Sequence, residues 1–425
     1  AYEFKGKFQL NYPKNIDEIK SCLNEENEII PSGGFRSYGD SAISENIISS
    51  KYLNKIIKFE DSLGILKVQS GVTIDQMINF LIERGWFLKV SPGTKFATLG
   101  GCIASDVHGK EHHKEGCFSE SVLKIKMLIN KNQIIEFTKD SHPDLFKATC
   151  GGMGLTGFII EAEIKCKKVL SSEIKYKKVL TNNLDNLFEK FEKFEEYNYS
   201  VAWLDTKKRN RNYRSVFTCG KFSTQQKFEI PNKKNITIPF KFNFINNFTI
   251  NIFNLLYFYF CKISKKNGYL NYNKFFYPLD GLNNWYKLYG KNGFLQYQFI
   301  IPKKESKIAI KEVLDYLNDV NCISALAVIK LHREQNDNFL SFPFLGYSVA
   351  MDMKYNEVTL NILNKLDEIV SKYSGKVYLT KDKRLNSKYF KKFYPYFREI
   401  TNVREKYDIF KFKSKQSIRI GINDK

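Results

Sequence analysis

Apolar positions in the first 170 residues switch between two periods. "ILKVQSGV" (Ile65–Val72) reads as a strand. After Thr73, the residues Ile74, Met77, Ile78, Leu81 and Ile82 recur at i, i+3, i+4, i+7 and i+8, which predicts a helix capped by Thr73 and stopped at Gly85. Further on, Ile160, Ala162 and Ile164 alternate with Glu161, Glu163 and Lys165, the pattern of a half-buried strand. Residues 170–290 are aromatic-rich and irregular, with no internal repeat. Order returns after them. "FLQYQFIIP", "ISALAVIKL", "YSVAMDM" and "KVYLT" read as strands, "KESKIAIKEVLDYLN" and "VTLNILNKLDEIVSKY" as helices, the latter with Leu363, Leu366 and Val370 on one face. The order β-α-β, β-α-β over 294–380 is that of a split βαβ, ferredoxin-like antiparallel sheet. The fold class expected is α+β.

Composition narrows the class. A chain of 425 residues with 43% hydrophobic and 15% aromatic residues can build two packed domains. The net charge of +22 points either to anionic partners (nucleic acid, an anionic membrane face, a phosphorylated ligand) or to a general Lys-rich bias. The lysines are dispersed rather than interleaved with aromatics in an RNP-like motif, so a nucleic-acid-binding role is not expected. The eight cysteines contain no CxxC pair, which argues against zinc, and in a long chain without an export signal they read as reduced thiols of a cytoplasmic protein. "AYEFKGKFQLNYPKN" carries no apolar block of the signal-peptide kind. Phe242–Cys261 is uncharged, yet its five Asn and one Thr argue against a membrane span. Flanked by Lys233, Lys234, Lys241, Lys262, Lys265 and Lys266, it reads either as an interfacial segment or as a buried or mobile insertion.

Three glycine-rich stretches fall in the first 160 residues: "SGGFRSYGDSA" (Ser32–Ala42), "SPGTKFATLGGCIASDVHGKEHH" (Ser91–His113) and "CGGMGLTG" (Cys150–Gly157). Gly152–Gly157 fits GxGxxG, but it leads into the alternating strand at 158–165 rather than into a helix, so a Rossmann site is not expected. Neither a P-loop nor a GxSxG elbow occurs. Glycines let backbone N–H groups approach an anion closely, Ser32, Ser37, Thr94 and Thr98 add hydroxyls, and Arg36 adds a charge. Three such loops suit a ligand with a long polar spine, such as a dinucleotide.

The loops resemble the flavin-contacting segments of the oxidoreductases related to vanillyl-alcohol oxidase, which carry a PCMH-type FAD-binding domain. Within that superfamily, "RSYGD", "HGKEHH", "GGMGLTG", "FFYPLD", "FLQYQF" and "YLTKDKR", in order over most of the chain, resemble the decaprenylphosphoryl-β-D-ribose 2-oxidase family. The resemblance implies an FAD-binding domain in two segments, 1–168 and 381–425, around a substrate domain at 169–380. It implies that Ser32, Gly33, Gly34, Phe35, Arg36, Ser37, Tyr38 and Gly39 hold the FAD pyrophosphate. Gly93, Thr94, Thr98, Gly100, Gly101, Ala104, Ser105, His108 and Gly109 would follow from the second loop, and Gly157 from the third. Arg36 and Lys95 stand where relatives link FAD through His and Cys, so non-covalent FAD is expected.

The reaction so implied moves a hydride from a carbinol carbon to flavin and needs a fixed cation and a polar acceptor. Lys381 is the expected cation, with Tyr378 shaping the pocket, and His108 adds an imidazole that can exchange protons near pH 7. Gln296 and Gln298, on one strand face by period two, and Lys330 and Ser348 are the expected substrate contacts. Ser348 and Ala350 replace the Asn and Cys of mycobacterial members, which leaves the sugar and its lipid or nucleotide carrier open. His108, His112 and His113 lie close in sequence, yet no metal site is expected. The implied function is oxidation of a phosphorylated, polyprenyl-linked sugar to a keto-sugar at the inner membrane face, in cell-envelope synthesis. A separate short-chain reductase would complete the epimerisation. The alternative is a water-soluble sugar-alcohol or aldonolactone oxidase of the same fold.

Overall fold

The computed structural model describes residues 6–23, 28–230, 235–324 and 326–423; Lys233 and Lys234 lie outside them. The glycine-rich half is built on two sheets. A parallel three-stranded sheet runs Gln9–Asn11, Asn46–Ser49, Ile29–Ser32. An antiparallel sheet runs Ile56–Glu60, Ile65–Gln69, Phe158–Lys168, Val122–Asn130, Gln133–Phe137, and Trp86–Leu88 also pairs with Phe158–Lys168. The helix Ile74–Ile82 buries all five residues of the apolar stripe. Thr73 accepts from Gln76 N at 3.2 Å while Gln76 Oε1 accepts from Thr73 N at 2.9 Å, a closed capping box. Thr73→Ala is expected to lower stability by about 1 kcal/mol, read from the midpoint of urea unfolding.

The other half is one antiparallel sheet of eight strands. Residues 170–290 are therefore not irregular. Glu173–Thr181, Ser215–Phe222, Tyr199–Leu204 and Asn267–Asn271 form half of that sheet. Ala327–His332, Gly346–Lys354, Phe294–Pro302 and Lys376–Val377 form the rest. Numbered within each half in chain order, both halves read 4-1-3-2, the split βαβ arrangement, and they join edge to edge through Tyr199–Leu204 and Ala327–His332. The fold thus contains a structural repeat that the sequence does not display. The last strand is shorter than "KVYLT" predicts, because the chain turns into a 3-10 turn at Leu379–Lys381.

The two faces of this sheet have different work. Phe299, Ile301, Ile329, Val349 and Met351 point to the face covered by the helices Ser306–Asp319 and Glu357–Lys372, and form the main core. Phe217 packs there against Phe191 and Phe194 at the helix Leu184–Lys193. By period-two alternation Gln296, Gln298, Val328, Lys330 and Ala350 point the other way. The first half departs from the second in one helix. Asn247–Ile263 crosses to this opposite face, where Cys261 packs on Trp203 and Val216. Among the described residues no helix is long and apolar enough to cross a membrane.

Candidate active site

Backbone hydrogen bonds anchor the glycine-rich loops and join the second to the third. Gly100 N donates to Ser70 O at 2.9 Å, Ser50 N to Ser32 O at 2.8 Å, and Met153 N to Ala104 O at 2.8 Å. A Cβ on Gly34 would meet the Phe96 carbonyl at 2.6 Å, and one on Gly33 would strike Thr98 Oγ1. Phe35 sits between these turns with φ +50°, a left-handed conformation that the packing around it must hold. The C-terminal segment braces the first loop. Tyr38 N donates to Thr380 O at 3.0 Å, Arg419 pairs with Asp40 at 2.7 Å and with Asp382 at 3.0 Å.

Between these loops and the cavity-side face of the large sheet lies a cavity of about 1060 Å³. Every residue expected to contact the cofactor lines it except Gly39, whose Cα instead packs on the Asp382 carbonyl. The hydroxyls of Ser32, Ser50 and Ser70 are buried beside the loops with no hydrogen-bond partner in the protein. Unmet buried hydroxyls and glycines with no room for a side chain are what a polar, elongated ligand would complete.

The catalytic candidates converge at the sheet side of the cavity, where cross-strand register places Gln298, Ala350 and Val328 in one row and Ile300, Ser348 and Lys330 in the next. Gln298 Nε2 donates to His108 Nε2 at 2.8 Å, which leaves the ring proton on Nδ1. Burial, then Lys330, His112 and Lys381, hold His108 well below the usual imidazole range. That lowering disfavours the imidazolium form of His108. Tyr378 lies 4.9 Å from it, ring to ring, and donates to Ser105 O at 2.9 Å. Lys381 Nζ sits 3.8 Å from the centre of the Tyr38 ring. Its burial lowers its pKa to about 7, with Asp352 pulling it up and Lys330 pushing it down.

Ser348, expected against the substrate, does not line the cavity; its hydroxyl is turned to His332 Nε2 at 2.7 Å, behind His108. Two groups that the sequence reading passed over bear on the site, one lining the cavity and one bonded to a lining residue. Lys110, the lysine of "HGKEHH", lines the cavity, donates to Phe276 O at 2.9 Å, and is brought down to about 7 by burial and by Lys330. Its presence inside a quoted motif was the available signal. Asp352 accepts from Gln296 Nε2 at 2.5 Å and is pushed up to about 7 by burial. Its strand alternation placed it on the same face as Ser348, but nothing in the sequence aligned it with Gln296. Lys330 makes no hydrogen bond or ion pair among the described residues, and burial lowers its pKa too. His112 and His113 are engaged elsewhere, with Cys117 Sγ at 3.4 Å and Tyr197 O at 2.7 Å. Among the described residues no cluster of three metal-ligating side chains forms.

Beyond these groups the cavity continues across the first half of the sheet into a mainly apolar arm, whose lining also includes Lys178 and Thr218. Trp203, Val216, Leu326 and Val328 line it, and Phe253 and Tyr257 of the helix Asn247–Ile263 roof it.

Residues 10–138 match the FAD binding domain family. The decaprenylphosphoryl-beta-D-ribose oxidase of Mycolicibacterium smegmatis is 30% identical over 397 residues, 89% of this chain and 86% of that protein. Similarity to the D-lactate dehydrogenase of Anaerostipes hadrus is 27% over 155 residues, 35% of this chain and 33% of that protein. The D-arabinono-1,4-lactone oxidase of Kluyveromyces lactis shows 22% over 162 residues, 36% of this chain and 31% of that protein. With the loops closed around a ligand-sized cavity and a full-length relative at this identity, the chain belongs to the PCMH-type, FAD-binding oxidoreductases, the family that holds decaprenylphosphoryl-beta-D-ribose oxidase, and is an FAD-dependent enzyme.

Proposed function

We propose that this enzyme oxidises a secondary alcohol of a sugar carried on a polyprenyl phosphate, giving the keto-sugar that a separate short-chain reductase then reduces in an epimerisation. The observation that carries the reading is the cavity's polarity. Lys110, Lys330 and Lys381 line it, and so do the residues of the mainly apolar arm over the first half of the sheet. Three lysines held at lowered pKa in one cavity repel one another, and a phosphate entering among them relieves that repulsion. The apolar arm accepts a hydrocarbon chain.

In this reading residues 1–168 and 381–425 form the FAD-binding part and 169–380 the substrate part; the pairing of Ile29 with Lys411 and Lys413 supports it. Ser32–Tyr38, Thr98–Ser105 and Gly157 hold FAD, whose ring, when bound, accepts the hydride. Gln296 and Gln298 orient the sugar hydroxyls, Lys330 and Lys110 hold the phosphate, and Tyr378 fixes the wall against His108. Lys381 supplies the positive charge that stabilises negative charge developing during the transfer. FAD is held without a covalent bond. Of the described lining residues none is cysteine, the single histidine has its Nε2 engaged by Gln298, and Lys95 is turned to Asn273 and Asp75.

Acid precipitation of the purified yellow protein is expected to release all of the flavin into the supernatant, and anaerobic addition of a prenyl-phosphoryl pentose to bleach it. Colour retained in the pellet refutes the non-covalent assignment. Bleaching by free sugar alcohols or aldonolactones, and not by the lipid-linked sugar, favours the water-soluble substrate instead.

A further inference from the structure

A helix on a protein surface ordinarily turns polar residues to water. Asn247–Ile263 does not. Ile250, Asn254 and Cys261 face the sheet, while Phe248, Leu255, Leu256, Tyr259, Phe260 and Ile263 are exposed, Phe248 at 72% and Ile263 at 66%. The strap before it exposes Ile236, Phe240 and Phe244 as well. Scattered apolar residues on a surface need no explanation, but a contiguous stripe marks a binding face.

Two observations say what covers it. The first is charge. Between Glu229 and Asp280 the sequence has seven lysines and no acidic residue. Lys241, Lys262 and Lys265 are exposed at the two ends of the stripe, which complements an anionic surface. The second is continuity. Phe253 and Tyr257 of the same helix stack at 5.9 Å and roof the apolar arm of the cavity, and Phe253 is itself half exposed. The outer stripe and the inner arm therefore meet at Phe253.

The helix is also fixed in its orientation without help from the outer face. Buried Asp205 accepts from Asn254 Nδ2 at 2.8 Å and from Arg214 Nε at 2.8 Å, and Arg214 Nη2 donates to Asn254 O at 3.1 Å. Its outward apolar residues are not required to hold it in place.

We infer that Asn247–Ile263 and the strap 236–244 dock on an anionic lipid bilayer, lysines at the headgroups and aromatic residues at the acyl boundary, so that a substrate's hydrocarbon chain passes from the bilayer past Phe253 into the cavity. The docking stands on the surface alone; the passage of the chain rests on the function proposed above.

The test is co-sedimentation of the FAD-loaded protein with phosphatidylglycerol or phosphatidylcholine vesicles. Wild type is expected to pellet with phosphatidylglycerol, less with phosphatidylcholine, and less in high salt. Leu256→Glu/Phe260→Glu is expected to cut binding by about tenfold or more, and Lys262→Glu/Lys265→Glu to weaken binding to phosphatidylglycerol selectively. Both variants keep wild-type flavin content and thermal midpoint. Absence of binding to phosphatidylglycerol, or equal binding by Leu256→Glu/Phe260→Glu, overturns the docking. Light scattering without vesicles that shows a dimer dissolved by Leu256→Glu/Phe260→Glu assigns the face to a second copy and overturns it as well. Flavin reduction by a short-chain prenyl-phosphoryl sugar in detergent is measured in parallel. Its absence refutes the proposed function and leaves the vesicle result untouched.

Discussion

Lys381→Ala is expected to keep its flavin and lose substrate-driven flavin reduction by about 10²–10⁴-fold, the range a positioned charged or acid–base group supplies. The Nζ is held in the cavity over the Tyr38 ring at 3.8 Å, and its neighbour Lys330 repels it. Burial disfavours the ammonium and lowers its pKa to about 7, so the group is charged below that pH and neutral above it. If the positive charge is what the reaction uses, reduction slows as pH rises through about 7. Lys381→Arg keeps a charge throughout and should lose that fall while recovering part of the rate. Anaerobic stopped-flow absorbance across pH reads all three proteins. A wild-type rate in Lys381→Ala removes the residue from the chemistry.

The second large effect is on the frame. Arg419→Ala is expected to cost about 3–5 kcal/mol, the usual result of removing one member of a buried charge cluster. Arg419 donates to Asp40 at 2.7 and 3.1 Å and to Asp382 at 3.0 Å. Burial pushes the Asp40 carboxyl up, and Arg419 is its main counterweight. Without the guanidinium two carboxylates face each other away from water, one in the first glycine-rich loop and one beside Lys381. Denaturant unfolding measures the loss, and FAD retention on gel filtration measures the loosened loop. Arg419→Ala/Asp40→Asn/Asp382→Asn should regain part of the stability. Unchanged unfolding in Arg419→Ala would show that the cluster contributes nothing to the frame.

How much of this was legible in the sequence depended on whether the signal was local. The helix Ile74–Ile82 was readable because its stripe, cap and stop lie within a dozen residues. The strand at 158–168 and the second split βαβ unit were readable for the same reason. The first unit was not. Trp203 and Val216 on its cavity face are as apolar as Phe217 on its core face, so no alternation appears. Its second helix carries apolar residues on both its packed and its exposed side, so no amphipathic period marks it. The site followed the same rule. Glycine loops carry their own signature, and motif resemblance pointed to Lys381, Gln296 and Gln298, which line the cavity. The bond from Gln298 to His108 spans 190 positions, and the pairing of Gln296 with Asp352 depends on register between two strands. Neither is written in any window of the chain. Ser348 faces the cavity side of the sheet without lining the cavity, its hydroxyl bonded to His332 instead.

The placement of Asn247–Ile263 on the face opposite the main core has a kinetic meaning. Helices that share a hydrophobic core tend to open together, at close to the free energy of global unfolding. This one packs its buried residues on Trp203, Val216 and their few neighbours, and is tied down by the bonds of Asn254 to Asp205 and Arg214 and of Asn251 to Arg209. Its contacts with the rest of the fold are fewer than those of the two core helices, and its amides should exchange with solvent ahead of those in Ser306–Asp319 or Glu357–Lys372.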